Sequence, residues 1–290
     1  MRLFRSLAAT TVAVSTVLLG GSQALAVEAA PQATAEQARV AAPGADFTGI
    51  AALSNCSGSL VRYAESLSTD RALILTNGHC YEGGMPSPGQ VIVNRASSRS
   101  FTLLRPNSSN AGTVRASRVL YATMTKTDVS LYQLNESYAS IRSRLNVTPL
   151  TLAKQAPADG AGMAVVSGYW KRIYTCSVQA TIPELREAGW VMKSSIKYQQ
   201  PGCETIGGTS GSPVVSTTTG EVIGVNNTGN EDGERCTLNN PCEVDANGNI
   251  TVDQGAAYGQ QTWWFYTCLT ASRTLDLNKS GCQLAKPARR

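Results

Sequence analysis

From residue 47 onward the apolar positions of the chain fall into short runs separated by turn residues. The runs lie at 58–63, 72–76, 90–93, 129–134, 163–167, 213–216 and 221–225. They are rich in Val, Ile, Leu, Tyr and Thr and bounded by Gly, Pro, Asn or Ser, which marks strands rather than helices. Many short strands at this spacing predict an all-β sandwich or barrels. Helical periodicity is weak, with a turn or two predicted at 183–188 and another after Gln260. No internal repeat of fixed period is present. The stretch 245–253 has oxygen ligands at alternate positions, yet its glycine is misplaced for an EF-hand-type loop. Asn247-Gly248 between two apolar pairs reads instead as a hairpin turn. Trp263-Trp264-Phe265-Tyr266, close to Cys268, reads as a packed C-terminal element.

The segment ahead of these strands has a different character. Met1-Arg2-Leu3-Phe4-Arg5 is a short positive start, 7–19 is apolar apart from small hydroxyl residues, and Ala24-Leu25-Ala26 has the form of a signal-peptidase site. Residues 1–26 therefore read as a secretory signal, because Gly20-Gly21 ends the apolar run too early for a membrane anchor. Residues 27–45, rich in Ala, Pro and Gln, read as a pro-segment or linker. What remains is one domain at 46–285 and a basic tail at 286–290. Secretion leads to an oxidising compartment, where the eight cysteines are expected to bond to one another rather than hold a metal. Cys236 and Cys242 flank a short loop, and Cys268 and Cys282 flank the C-terminal segment, so these are candidate pairs.

Composition narrows the picture further. A chain of 290 residues can be one all-β unit, or one made of two packed barrels, without separate domains, and 42% hydrophobic with 16% charged residues excludes a disordered or coiled-coil chain. The net charge of +5 nearly vanishes once Arg2 and Arg5 leave with the signal, the 25 basic residues becoming 23 against 20 acidic ones. No basic stripe with interleaved aromatics remains, so nucleic acid is not an expected partner. After signal removal no membrane association is expected either, and the expected state is a monomer. The one histidine, His79, is the only place for neutral-pH imidazole chemistry.

His79 stands in Thr76-Asn77-Gly78-His79-Cys80, just past an apolar strand. Cys80 can pin that loop by a disulfide, and Cys56, in Cys56-Ser57-Gly58-Ser59-Leu60, is the natural partner because adjacent antiparallel strands bring two such residues within bonding distance. A lone loop histidine means little by itself. Gly207-Gly208-Thr209-Ser210-Gly211-Ser212-Pro213 supplies the context: glycines around a serine leave its oxygen open and let backbone N–H groups turn inward, as an oxyanion site needs. An acyl-transfer serine also needs a base and an acid to orient it. Between His79 and Ser210 the aspartates are Asp128 and Asp159. Asp159 sits in an ordinary turn, whereas Asp128 directly precedes the strand at 129–134 and is the better orienter.

These four motifs, in the order His, Asp, Ser, resemble the chymotrypsin-like serine proteases over roughly residues 47–230. The resemblance implies two six-stranded antiparallel β-barrels with the active site in the cleft between them. It implies His79 as general base and acid, Asp128 as its orienter, Ser210 as nucleophile, and the Gly208 and Ser210 N–H groups as oxyanion hole, together with a Cys56–Cys80 bridge. A secreted endopeptidase acting on polypeptides through an acyl-enzyme, with no cofactor and no metal, is the expectation. A catalytically inactive binding protein on the same scaffold and an esterase with the same triad are the alternatives. Three departures matter. Where zymogen-type members carry an aspartate before the serine, this chain has Thr209, which cannot pair with an N-terminal ammonium. Thr205 matches a pocket threonine of the bacterial glutamyl-endopeptidase branch, but that branch's pocket histidine falls near Val225-Asn226, and the sole histidine is already used. Glu204, six residues before the serine, either favours Lys or Arg substrates or is a surface loop acid. The third is Cys203 beside it, with Cys176 as candidate partner.

Overall fold

The computed structural model describes residues 45–288. The predicted signal, all of the predicted pro-segment except Ala45, and the last two residues of the basic tail lie outside the described residues. The first half contains β1 (Ile50–Ala52), β2 (Ser57–Arg62), β3 (Arg71–Thr76), β4 (Val91–Ala96), β5 (Ser100–Leu104), β6 (Asn110–Thr123), β7 (Val129–Ser137), α1 (Tyr138–Leu145) and β8 (Leu150–Thr151). The second half contains β9 (Gly162–Ser167), β10 (Arg172–Glu187), β11 (Trp190–Tyr198), β12 (Pro213–Ser216), β13 (Val222–Gly229), β14 (Cys242–Val244), β15 (Ile250–Thr251), β16 (Ala257–Gln261) and α2 (Trp264–Thr267).

Each half closes on itself. In the first, β1, β5, β6, β7, β3 and β2 pair in sequence and β2 returns to β1, all antiparallel. In the second, β9, β10, β11, β16, β13 and β12 form the equivalent ring, with the β14–β15 hairpin added to β10. Two six-stranded barrels result, as the sequence predicts. The period of two explains how they join. In β3, Ala72 and Ile74 point into the first barrel with Leu60, Phe101 and Tyr132, while Leu73 and Leu75 point outward. The outward set meets Val222 and Val225 of β13 and Phe265 of α2 in a shared core. A strand buried on both faces loses its polar alternation, which is why β3 reads as a continuous apolar run.

Three local outcomes refine the sequence reading. The turn predicted at 183–188 is instead the end of the long strand β10, where Ile182, Leu185 and Glu187 are buried and the segment pairs with β11. Pro183, which has no N–H to give, is passed over by the ladder between Ile182↔Ser195 and Glu184↔Lys193. The helix α1 carries no periodic signal since only Tyr138 and Ile141 are buried; Ser137 caps it through a bond from Ser140 N, and Asn146 ends it in the left-handed region. The helix expected after Gln260 is α2, and Asp245 closes the expected hairpin by accepting from Asn247 N and Asn249 N, both at 2.8 Å. Among the described residues no helix is long and apolar enough to cross a membrane.

Candidate active site

The end of β3 lies beside the start of β7, where Thr76 pairs with Ser130. That register brings the residues just past one strand end next to those just before the other. The Asn77 side-chain amide donates to Asp128 O at 2.8 Å, fixing the approach. Asp128, buried at 1% exposure, then accepts twice from one residue: its Oδ1 from His79 N at 2.9 Å and its Oδ2 facing His79 Nδ1 at 2.7 Å. The Cys56–Cys80 disulfide stands against the ring, its sulfurs and a ring nitrogen lying within 4.8 Å of one another. Burial opposes charging of the imidazole, but the charge and hydrogen bond of Asp128, with Glu187 behind, outweigh it and hold His79 above its usual value of 6.5.

Ser210 comes to the same cavity from the second barrel. Its turn is seated on the first barrel by Ser57 N, which donates to Ser210 O at 2.8 Å. Gly211, at φ +79°, sits so close that a Cβ there would lie 2.1 Å from Thr76 Oγ1 and 2.2 Å from Ser57 O, so no other residue fits. Asn226, expected near the substrate, lines the same cavity as His79 and Ser210 while being buried and bonded to the turn: its Nδ2 donates to Thr209 Oγ1 at 3.0 Å, its O accepts from Gly211 N and its N donates to Ser212 O. The Thr209–Asn226 contact thus holds the serine turn by neutral hydrogen bonds at the position where an ion pair would require an acid. The Ser210 hydroxyl itself makes a long contact, 3.4 Å, to Asn227 O.

His79, Asp128 and Ser210 line one cavity of about 380 Å³, together with Thr205. Glu204 lies at its rim, exposed, with its carboxylate turned back to accept from Gly202 N at 3.0 Å, a bond that lowers its pKa. Cys203 beside it is bonded to Cys176, and the remaining bridges are Cys236–Cys242 and Cys268–Cys282.

Two residues that the sequence reading did not single out belong to this site. Glu187, at the tip of β10, lines the same cavity at 7% exposure and accepts from Asn239 N at 2.8 Å, and among the described residues no lysine or arginine lines that cavity. Burial pushes its carboxyl above the usual range. Trp170, in the β9–β10 turn, donates its indole N–H to Gly207 O at 2.8 Å. Neither carries a local sequence signal, because both act through contacts far apart in the chain.

Two closed six-stranded barrels meeting at a histidine from one and a serine from the other are the architecture of the chymotrypsin-like serine proteases. The chain belongs to the trypsin-like peptidase family, whose domain model matches residues 56–225, more than half its length. No curated protein sequence matches it. Solved structures similar to it include the MamO protease domain from Magnetospirillum magneticum, at 11% identity over 77% of this chain and 97% of that one, TM-score 0.46. The active form of the Rv3671c protease from M. tuberculosis is 15% identical over 82% and 81%, TM-score 0.44. The thermostable serine protease AL20 from an extremophilic microorganism is 16% identical over 74% and 91%, TM-score 0.43.

Proposed function

We propose that the protein is a secreted serine endopeptidase in which Ser210, His79 and Asp128 form the triad. The observation that carries this reading is the buried Asp128 carboxylate bonded to both the ring and the main chain of His79, facing the cavity that Ser210 also lines. Held this way, His79 carries its proton on Nδ1 and presents a bare Nε2 to the serine. The Ser210 Oγ–H proton passes to Nε2 as Oγ attacks the scissile carbonyl carbon. His79 then gives the proton to the departing amine as the C–N bond breaks, and a water repeats the sequence to release the acid. The long Ser210–Asn227 contact costs little to give up. Beyond Val225↔Pro213, residues 227–229 of β13 have no strand partner on the β12 side among the described residues and run past Ser210, an edge to which an extended polypeptide can add as a strand. The four disulfides fit the oxidising compartment to which a secretory signal leads.

The test is labelling with a fluorophosphonate probe followed by peptide mapping. The expected adduct is on Ser210, absent in Ser210→Ala and His79→Ala proteins that keep their melting transition. A folded wild-type protein that takes no label would sink the hydrolase reading, and turnover of esters without peptides would convert it to an esterase.

The cavity also bears on specificity. It is lined by Asp128, Glu187, Glu204 and Glu231 and by no lysine or arginine, so a substrate glutamate would meet repulsion and a basic side chain attraction. Glu187, buried and, unlike Asp128, not bonded to the His79 ring, gains most from such a partner. Cleavage of a peptide library is expected to favour Lys or Arg on the acyl side. Glu187→Gln, which keeps the acceptor for Asn239 N, should reduce the ratio of kcat/KM between basic and uncharged substrates by about tenfold. A ratio unchanged by the substitution excludes Glu187 from recognition.

A further inference from the structure

The turn around the serine offers four carbonyl groups, and each is held from behind. Gly207 O accepts from Trp170 Nε1 at 2.8 Å, Gly208 O from Ser57 Oγ at 3.4 Å, Thr209 O from Ser212 N at 3.0 Å and Ser210 O from Ser57 N at 2.8 Å. The Thr209 N–H is used within the turn, on Ile206 O at 3.0 Å. Among the described residues no protein acceptor takes the N–H of Gly208 or of Ser210. Those two donors are the ones an oxyanion requires.

Peptide geometry links the two observations. The Gly207–Gly208 peptide is planar and trans, so its C=O and its N–H point in opposite directions. Holding Gly207 O toward the Trp170 indole therefore turns the Gly208 N–H to the other side. The linkage would be loose without that bond. Gly207 has no atom within 4 Å of a Cβ position, and Gly208 is at φ +87°, so little steric cost opposes rotation of the peptide between them. A competing donor is near in sequence: Gly207 and Gly208 are the central residues of the turn closed by Thr209 N on Ile206 O, and Gly207 O and Ser210 N have the first-to-fourth spacing that closes a β-turn once the peptide between the glycines is flipped. A peptide flipped that way would withdraw one oxyanion donor and consume the other.

Trp170 is itself well anchored. Its main-chain N donates to Ser167 Oγ at 3.2 Å, Tyr169 N donates to Ser57 Oγ at 3.0 Å, and Ser57 and Ser167 are fully buried and 3.2 Å apart through their hydroxyls. The Tyr169 ring packs edge-on against the indole, centroids 4.9 Å apart. A Cβ on Gly208 would fall 2.9 Å from Trp170 Nε1 and 3.0 Å from Tyr169 Cδ1, so the aromatic pair fits only against a glycine. Yet Trp170 is 49% exposed, which means that removing its N–H leaves the core untouched.

We infer that Trp170 is a positioning residue that locks the oxyanion hole open by holding the Gly207–Gly208 peptide in the donor-inward orientation. The inference rests on the triad reading above. Trp170 does not touch the reacting atoms; it selects which way one peptide faces.

The experiment compares wild-type protein with Trp170→Phe and with a site-specific replacement of Trp170 by 3-benzothienylalanine, which keeps the bicyclic shape and lacks the N–H. On a peptide substrate both are expected to lower kcat by about tenfold or more, approaching the 10²-fold that loss of an oxyanion donor costs, while KM moves little. Affinity for a peptide aldehyde, whose adduct with Ser210 carries the oxyanion, should fall in parallel with kcat, and affinity of Ser210→Ala for the uncleaved peptide should not respond to the same change. A benzothienyl variant with wild-type kcat and aldehyde affinity overturns the inference and leaves the protease reading standing. Loss of peptide affinity equal to the loss of kcat also overturns it, since that is the mark of a general structural role. A wild-type protein that neither hydrolyses peptides nor takes the fluorophosphonate label overturns both readings together.

Discussion

Ser210→Ala is expected to lower kcat for peptide hydrolysis by about 10⁶, the scale found when the nucleophile of a Ser-His-Asp unit is removed. The same substitution should leave the fold as it is. Ser210 is held through its main chain, by Ser57 N on its carbonyl, and its hydroxyl makes only the 3.4 Å contact to Asn227 O. Removing a weakly engaged, half-buried hydroxyl changes stability by no more than about 0.5 kcal/mol. Kinetics on a peptide substrate beside a thermal melt measure both quantities on one preparation. The separation between them is the informative part: a catalytic effect of many orders with an unmoved melting transition assigns chemistry to the hydroxyl, whereas comparable rates in the two proteins would remove Ser210 from the mechanism. Residual turnover in the variant, about 10³ to 10⁴ over water, would come from the oxyanion donors and substrate binding that remain.

Most of the strands that announce themselves in the sequence are buried on both faces, the mostly exposed β4 being the exception. β3, β7, β9, β12 and β13 sit where a barrel interior and the inter-barrel core, or two packed layers, take alternate residues, so their buried stretches are mostly apolar or small. β10 is longer than any of them and is not legible, because its buried positions, Tyr174, Val178, Ile182, Leu185 and Glu187, fall at irregular spacings without the period of two that marks a strand, and Pro183 imitates a break. β16 is hidden for the opposite reason. Its Gln260 and Gln261 are buried but polar, spending their amides on Ser195 Oγ and Ser194 O. The site divides in the same way. His79, Asp128 and Ser210 each stand at a strand end inside a short motif, and the order of the motifs is readable without coordinates. Glu187 and Trp170 have no motif: what makes Trp170 significant is a carbonyl 37 positions along the chain, and what makes Glu187 significant is burial beside residues contributed by the other barrel. Glu204 shows the converse, a motif-spaced acid that the fold turns onto its own loop.

Asp128→Asn is expected to lower kcat by about 10⁴ and to shift the pH profile in a direction fixed by the local charges. In the native site the carboxylate accepts from His79 N and from Nδ1–H. An asparagine offers one acceptor and one donor. If its oxygen keeps the His79 main-chain N–H, its NH₂ faces Nδ1, which must then be the bare nitrogen, and the proton moves to Nε2, where it blocks removal of the Ser210 proton. The magnitude follows from this tautomer change, since Ser210 and both oxyanion donors stay in position. The pH dependence follows from the charge. Activity needs neutral His79, so the wild-type rate rises with pH and reaches half its plateau above 6.5, because burial is outweighed by Asp128 and Glu187. Without the Asp128 charge and hydrogen bond, burial prevails over what Glu187 supplies, the imidazole gives up its proton more readily, and the rising limb moves to lower pH. A profile of kcat/KM against pH for both proteins decides the matter: a lowered plateau with an acid-shifted limb supports Asp128 as orienter and charge partner of His79. An undiminished plateau would assign the pair a purely structural role.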